Sequence, residues 1–152
     1  KYPEMKDTVG VVVFGQQSSQ LESMIPFPVY SMNYVSSEKE IVDIYNAVDL
    51  YVTPSLEDNL PNTIMEAMAC GIPCIGFNVG GIPQMIDHLH NGYVARYKSS
   101  EDFANGIHWA LTESEYPHLS EEACRKVVSN YSERIIAKHY IDIYNKVTGS
   151  HA

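Results

Sequence analysis

The sequence is poor in positive charge. Ten of its 152 residues are Lys or Arg and nineteen are Asp or Glu, a formal net charge of −9 at pH 7. Binding a nucleic-acid backbone needs clustered basic side chains, so nucleic acid is excluded as a partner. A small phosphorylated ligand is not excluded, because backbone amides at a helix N-terminus hold phosphate without a basic patch. Long apolar runs are also missing. None reaches the ~20 residues needed to cross a bilayer, and Lys1–Thr8 do not have the layout of a signal peptide, so a cytoplasmic location is expected. Cysteine is scarce and odd in number: Cys70, Cys74 and Cys124. Three residues rather than two separate Cys70 from Cys74, which argues against a redox or zinc motif. Buried free thiols in a reducing compartment are the expectation.

What remains is an ordinary globular composition, 45% apolar, of a size that suits one domain. That domain is expected over residues 1–148, with 149–152 a frayed end. Val9–Phe14 is a run of β-formers closed by Gly15, as in a buried parallel strand. A short helical Ser19–Met24 precedes a second extended stretch, Val29–Val35. Ser37-Glu38-Lys39-Glu40 has the form of a capping box, and Ile41, Ile44, Tyr45 and Val48 then share one helical face. Leu50–Thr53 reads as a strand and Asn62–Cys70 as a helix, with Gly71 at the left-handed terminal position and Pro73 preventing continuation. Cys74–Phe77 and Tyr93–Ala95 read as short strands around a brief helix near Ile82–Ile86. Three helices follow: Ser100–Thr112, about Ser120–Ser129, and Ser132–Val147. The alternation predicts a parallel α/β sheet flanked by helices, Rossmann-like in its crossovers.

Ligands of open parallel sheets bind beyond the carboxyl ends of the strands. Three such exits stand out: Gly15–Ser19, Pro54–Asn62 and Asn78–Gly81. The second places Glu57, Asp58, Asn59 and Asn62 between a strand and a helix, and Glu66 follows about one turn inside that helix. Phosphates over first-turn amides, with hydroxyls on the Asp58 and Glu66 carboxylates, would suit a nucleotide sugar. Each feature also has a plainer account. Asp58 or Asn59 can serve as an N-cap, Glu66 can lie on a solvated face, and Gly80-Gly81 can be only a tight turn. The eleven tyrosines, Tyr140 and Tyr144 among them, read as packing. His88 and His90 lie in a loop with no helical i, i+4 partner nearby, so no metal site is expected.

Ala47–Ser55, Asp58–Pro73, Gly80-Gly81-Ile82-Pro83 and Asn91-Gly92-Tyr93 together resemble the C-terminal lobe of the retaining glycosyltransferases of family 4, of the GT-B fold. The resemblance spans nearly the whole chain, and Asn33-Tyr34-Val35 looks like the family's nucleobase-side loop. It implies a lobe that binds a nucleoside-diphosphate sugar, with Glu66 on the ribose hydroxyls and Asp58 facing the donor sugar. It also implies that Asp58 stabilises positive charge on the sugar carbon, and that Asn59, Leu60, Pro61 and Asn62 offer backbone contacts. Gly15, Gln16, Tyr34, Val35, Gly80 and Gly81 would line the nucleotide side. No cofactor or metal is obligatory in that scheme. The other partners implied are the enzyme's own N-terminal acceptor domain and a glycan or lipid acceptor, with peripheral association at the inner membrane face. Two departures stand out. The family usually has glutamate where Asp58 stands, with Glu57 as a substitute for it, and often glutamate where Gln84 stands. The resemblance further implies that the basic residues for the diphosphate precede Lys1 and that this piece alone does not turn over.

Two alternatives remain. A nucleotide-sugar epimerase or a sugar phosphorylase would share the fold and perform other chemistry. A noncatalytic receiver-like module would carry acidic residues at the end of the first strand, where Gln16-Gln17 stand.

Overall fold

The computed structural model describes residues 1–15, 24–32 and 34–149. The chain divides into two compact units, Lys1–Asp49 and Leu50–Ala152.

In the first unit a short 3-10 turn, Pro3–Asp7, leads to strand β1, Val11–Phe14. Strand β2, Val29–Met32, pairs with it in parallel, from Val11 opposite Val29 to Phe14 opposite Met32. Helix α1 spans Glu38–Asn46. It buries Ile44 and Tyr45, half-buries Ile41, and sets the Tyr45 ring edge-on to Phe14 at 5.9 Å. Ser37 stands at the N-cap in an extended conformation, but no side chain caps the helix, so the reciprocal box expected with Glu40 does not form. Both residues are exposed, where water satisfies the same donors at little cost. The helical stretch expected from Ser19 lies almost wholly outside the described residues.

The second unit holds β3 (Tyr51–Thr53), α2 (Asn62–Ala69), β4 (Cys74–Phe77), α3 (Ile82–Met85), β5 (Gly92–Ala95), α4 (Ser100–Thr112), α5 (Tyr116–Tyr131) and α6 (Glu133–Thr148). Its strands pair in parallel in the order β3-β4-β5. All four residues of the central strand β4 are buried, as a parallel strand covered on both faces must be. Ile64 and Met68 of α2, Ile75 of β4, and Ile82 and Met85 of α3 form the core, each with no exposed surface. Each such side chain contributes about 1.5–3 kcal/mol by leaving water. Gly71 ends α2 with φ +75°, and a Cβ there would stand 2.8 Å from the Ser120 hydroxyl of α5. Only glycine suits both the left-handed backbone and the close approach.

α5 begins at Tyr116, earlier than the expected Ser120, with Pro117 in its first turn, where a missing N–H is no loss. Ser132 ends α5 and also starts α6. Apolar residues recur at helical spacing along α6, but Tyr140, Ile143, Tyr144 and Val147 are each more than half exposed and α6 buries no residue. Those tyrosines are therefore not core packing in this chain. No helix among the described residues is long and apolar enough to cross a membrane.

Asp102 ties the exit of β5 to α4. Its carboxylate accepts the Arg96 amide at 2.7 Å and the Tyr93 hydroxyl at 3.1 Å, and the Ser99 hydroxyl caps the helix by accepting the Asp102 amide. The Arg96 amide first, then the Tyr93 hydroxyl and the Arg96 guanidinium, hold the Asp102 carboxyl below its ordinary range against the opposing effect of burial. A depressed folded pKa means stability that is complete above the unfolded value of about 3.9 and is lost as pH falls through the folded value. Asp102→Asn is therefore expected to lower the urea midpoint at neutral pH and to shrink the gap from wild type as the pH drops below about 4.

Candidate functional site

The loop from Pro54 to Pro61 leaves the carboxyl end of β3 and enters α2. A hydroxyl pair at its start, Thr53 and Ser55 at 2.9 Å, fixes the exit. From beyond β5 the Tyr97 hydroxyl donates to the Leu56 carbonyl at 3.2 Å and holds the middle of the loop. Pro61 is buried and occupies the N-cap of α2, and no side chain caps this helix. The plainer reading of Asp58 or Asn59 as an N-cap is thereby removed. Glu57, Asn59, Leu60 and Asn62 are exposed, and Asp58 is half-buried.

The second strand exit is built against this loop. Gly80 has φ +54°, and a Cβ on it would stand 1.6 Å from the Asp58 carbonyl oxygen. A Cβ on Gly81 would stand 1.8 Å from the Asn59 carbonyl oxygen. The two glycines are thus more than a tight turn: their bare backbone is the surface on which Asp58 and Asn59 rest. Val79 donates back to Phe77, and Ile82 to Val79, closing the turn into α3.

Glu66 is exposed on α2. It and Asp58 both bear on one residue, Tyr51 at the start of β3. Burial first, with the Glu66 and Asp58 charges adding to it, pushes the Tyr51 hydroxyl above its ordinary range, while its hydrogen bond with Thr63 opposes them. Both acidic residues chosen from sequence thus act on a tyrosine that stays neutral well beyond physiological pH. Tyr51, Thr63 and Tyr97 were not foreseen as parts of this region. Tyr51 and Thr63 lie inside the block that carries the family resemblance, but nothing in their spacing distinguishes them from packing residues.

The nucleotide-side residues divide differently. Gly80 and Gly81 belong to the loop assembly just described. Gly15, with φ +112° and open space where a Cβ would be, closes β1 in the first unit, where Tyr34 is exposed and Val35 half-buried. Gln16 lies outside the described residues. Of the cysteines, Cys74 is buried as expected, whereas Cys70 and Cys124 are only half-buried; all three are free.

Comparison with known proteins gives this arrangement a family. Residues 2–113 match the family model described as glycosyl transferases group 1, and the chain belongs to that family. Among curated relatives, the N,N'-diacetylbacillosaminyl-diphospho-undecaprenol alpha-1,3-N-acetylgalactosaminyltransferase of Campylobacter jejuni is 26% identical over 118 residues, 77% of this chain and 31% of its own length. The N-acetyl-alpha-D-glucosaminyl L-malate synthase of Bacillus anthracis is 29% identical over 115 residues, 75% of this chain and 30% of its own length. The chain thus spans about a third of the length of the curated relatives it matches. Among solved structures, a glycosyltransferase from Rickettsia africae superposes with a TM-score of 0.81 at 18% identity, over 97% of this chain and 42% of that one. Anabaena HepE in complex with UDP-glucose superposes with a TM-score of 0.76 at 18% identity, over 91% of this chain and 41% of that one. The fold is that of the GT-B glycosyltransferases.

Proposed function

We propose that this chain is the donor-binding lobe of a retaining glycosyltransferase that moves a sugar from a nucleoside-diphosphate sugar to a glycan or lipid acceptor. The observation that carries the reading is the joined pair of strand exits. Asp58 and Asn59 rest on Gly80 and Gly81 beside the uncapped start of α2, with Glu66 about one turn further along the helix. First-turn amides and the helix dipole favour a diphosphate. Glu66 binds the ribose hydroxyls, and Asp58 lies toward the sugar, where its negative charge steadies a developing positive charge on the sugar carbon. Backbone groups of Asn59, Leu60, Pro61 and Asn62 complete the contacts. The presence of UDP-glucose in the Anabaena structure is consistent with this donor class.

The acceptor domain belongs to the remainder of a longer enzyme, and the exposed apolar face of α6 fits a role in meeting it. The enzyme works in the cytoplasm, at the inner membrane face when the acceptor is lipid-linked. The name of the Campylobacter relative, which includes a diphospho-undecaprenol, agrees with such an acceptor. The test is titration of the chain with UDP, GDP and ADP, followed by NMR. Selective shifts around residues 58–66, with a Kd on the order of millimolar for an incomplete site, are expected. Equal or absent responses to all three nucleotides would count against the reading.

A further inference from the structure

The His90 loop and α5 bring three metal-binding side chains together on a part of the second unit that the proposed donor site does not use. His118 and Glu122 are one turn apart on α5, so their side chains project from the same face. His90 comes from the turn before β5. Its Nε2 lies 2.8 Å from Glu122 Oε2, its ring meets that of His118 at 5.4 Å between centroids, and one donor atom from each of the three residues lies within 4.8 Å of the others. Glu122 is nearly buried, whereas both histidines are exposed. The cluster therefore has a fixed carboxylate and two imidazoles open to solvent.

We propose that His90, His118 and Glu122 form a binding site for a divalent transition-metal ion of the zinc class. Zinc takes imidazole nitrogen and carboxylate oxygen at about 2.0–2.2 Å in a tetrahedral arrangement. Bonds of that length at the tetrahedral angle put neighbouring donors about 3.4 Å apart. His90 Nε2 and Glu122 Oε2, at 2.8 Å, are nearer than that spacing, and all three donors lie within 4.8 Å of one another, so small side-chain rotations would close the site. Two imidazoles with one carboxylate select zinc, nickel or copper over magnesium and calcium, which prefer oxygen alone. Three protein ligands leave the fourth position to water.

The neighbouring charges suit this occupant. The Glu122 carboxylate accepts a hydrogen bond from the Arg125 guanidinium. Arg125 is the competitor, and its side chain is 64% exposed, free to turn into solvent when a metal takes its place. Lys126 is already held by Asp87, with Nζ at 2.8 and 2.9 Å from the two carboxylate oxygens, so it does not oppose a cation at Glu122. An ion bound here ties the turn leading into β5 to the first two turns of α5. Its role is to hold that junction, well separated in sequence from Asp58 and Glu66.

The test is a calorimetric titration of the chain with zinc chloride, repeated with cobalt to read the ligand field by visible absorption. One ion per chain is expected, with a tetrahedral cobalt spectrum and a rise in melting temperature. Partners of a metal's ligands typically cost 10–100-fold in affinity when removed, so loss of a ligand itself in His118→Ala or His90→Gln is expected to weaken binding by at least about tenfold. His118 is exposed, which keeps that variant folded, and circular dichroism verifies it. His139→Ala, on α6, should leave binding unchanged. No zinc uptake by the wild-type chain, or the same affinity in all three variants, overturns the proposal.

Discussion

Gly80→Ala is expected to cost the second unit roughly 2–5 kcal/mol, a large share of the ~5–15 kcal/mol that holds a typical domain together. Two costs combine. Alanine at φ +54° occupies a left-handed conformation that L-residues disfavour, and its Cβ would fall 1.6 Å from the Asp58 carbonyl oxygen. No rotamer relieves an overlap between a Cβ and backbone, so either the turn or the loop from Pro54 to Pro61 must shift. Two comparison variants separate the terms. Gly81 has an ordinary backbone, φ −88°, but a Cβ would stand 1.8 Å from the Asn59 carbonyl, so Gly81→Ala reports overlap alone. Gly149 has φ +68° with nothing within 4 Å of a Cβ, so Gly149→Ala reports backbone strain alone and should cost about 1 kcal/mol. Urea unfolding of the four proteins gives the ranking, with Gly80→Ala the most damaged. Equal midpoints for Gly80→Ala and wild type would mean that the two strand exits do not bear on each other.

Glu66→Ala is expected to produce the largest loss of nucleotide affinity while leaving the fold intact. Glu66 is exposed, and surface substitutions usually change stability by no more than about 0.5 kcal/mol. Hydrogen bonds to a charged group contribute about 1.5–3 kcal/mol, so removing the carboxylate should weaken UDP, GDP or ADP binding by roughly 10- to 100-fold, whichever nucleotide the chain prefers. Asp58→Ala should behave differently. If Asp58 faces the sugar, its loss leaves the bare nucleoside diphosphate almost unaffected and removes the extra affinity of the nucleotide sugar. Measuring both ligands against both variants is decisive. A Glu66→Ala protein that binds nucleotide as tightly as wild type would remove Glu66 from the site, and parallel losses in Asp58→Ala for both ligands would point to a displaced loop instead of a lost sugar contact.

Much of this arrangement was legible in the sequence because it is written in local chemistry. Strand β4 is a short apolar run between Pro73 and Asn78, α4 spans the expected Ser100–Thr112, and Gly71 has the left-handed conformation its position demands. What was not legible depends on distant partners. Gly80 and Gly81 show a turn, but no rule of spacing reveals that they press on Asp58 and Asn59, some twenty residues earlier. The Ser37 and Glu40 pair satisfied the capping pattern, yet both remain in water and the box is not made. The start of α5 was missed because Ser120 looks like an N-cap and the true start, before Tyr116, has no side-chain cap. The earlier start brings His118 onto the helix, one turn from Glu122. Tyr140 and Tyr144 of α6 were read as packing, but helical spacing does not say whether anything covers the face it makes.

The placement of Cys74 has a kinetic consequence. Its thiol lies in the middle strand of the three-stranded sheet, with no exposed surface, and Sγ is 3.4 Å from the Ile72 carbonyl. Burial raises its pKa far above that of a free thiol. Alkylation requires an exposed thiolate, and Sγ also lies 3.8 Å from the Ile64 carbonyl of α2, so a reagent reaches Cys74 when α2 lifts from the face of the sheet. With Cys70 and Cys124 changed to serine, the rate of labelling would become a clock for the parting of α2 from the sheet. Reclosing faster than alkylation would make that clock report the free energy of opening, and slower reclosing would make it report the opening rate.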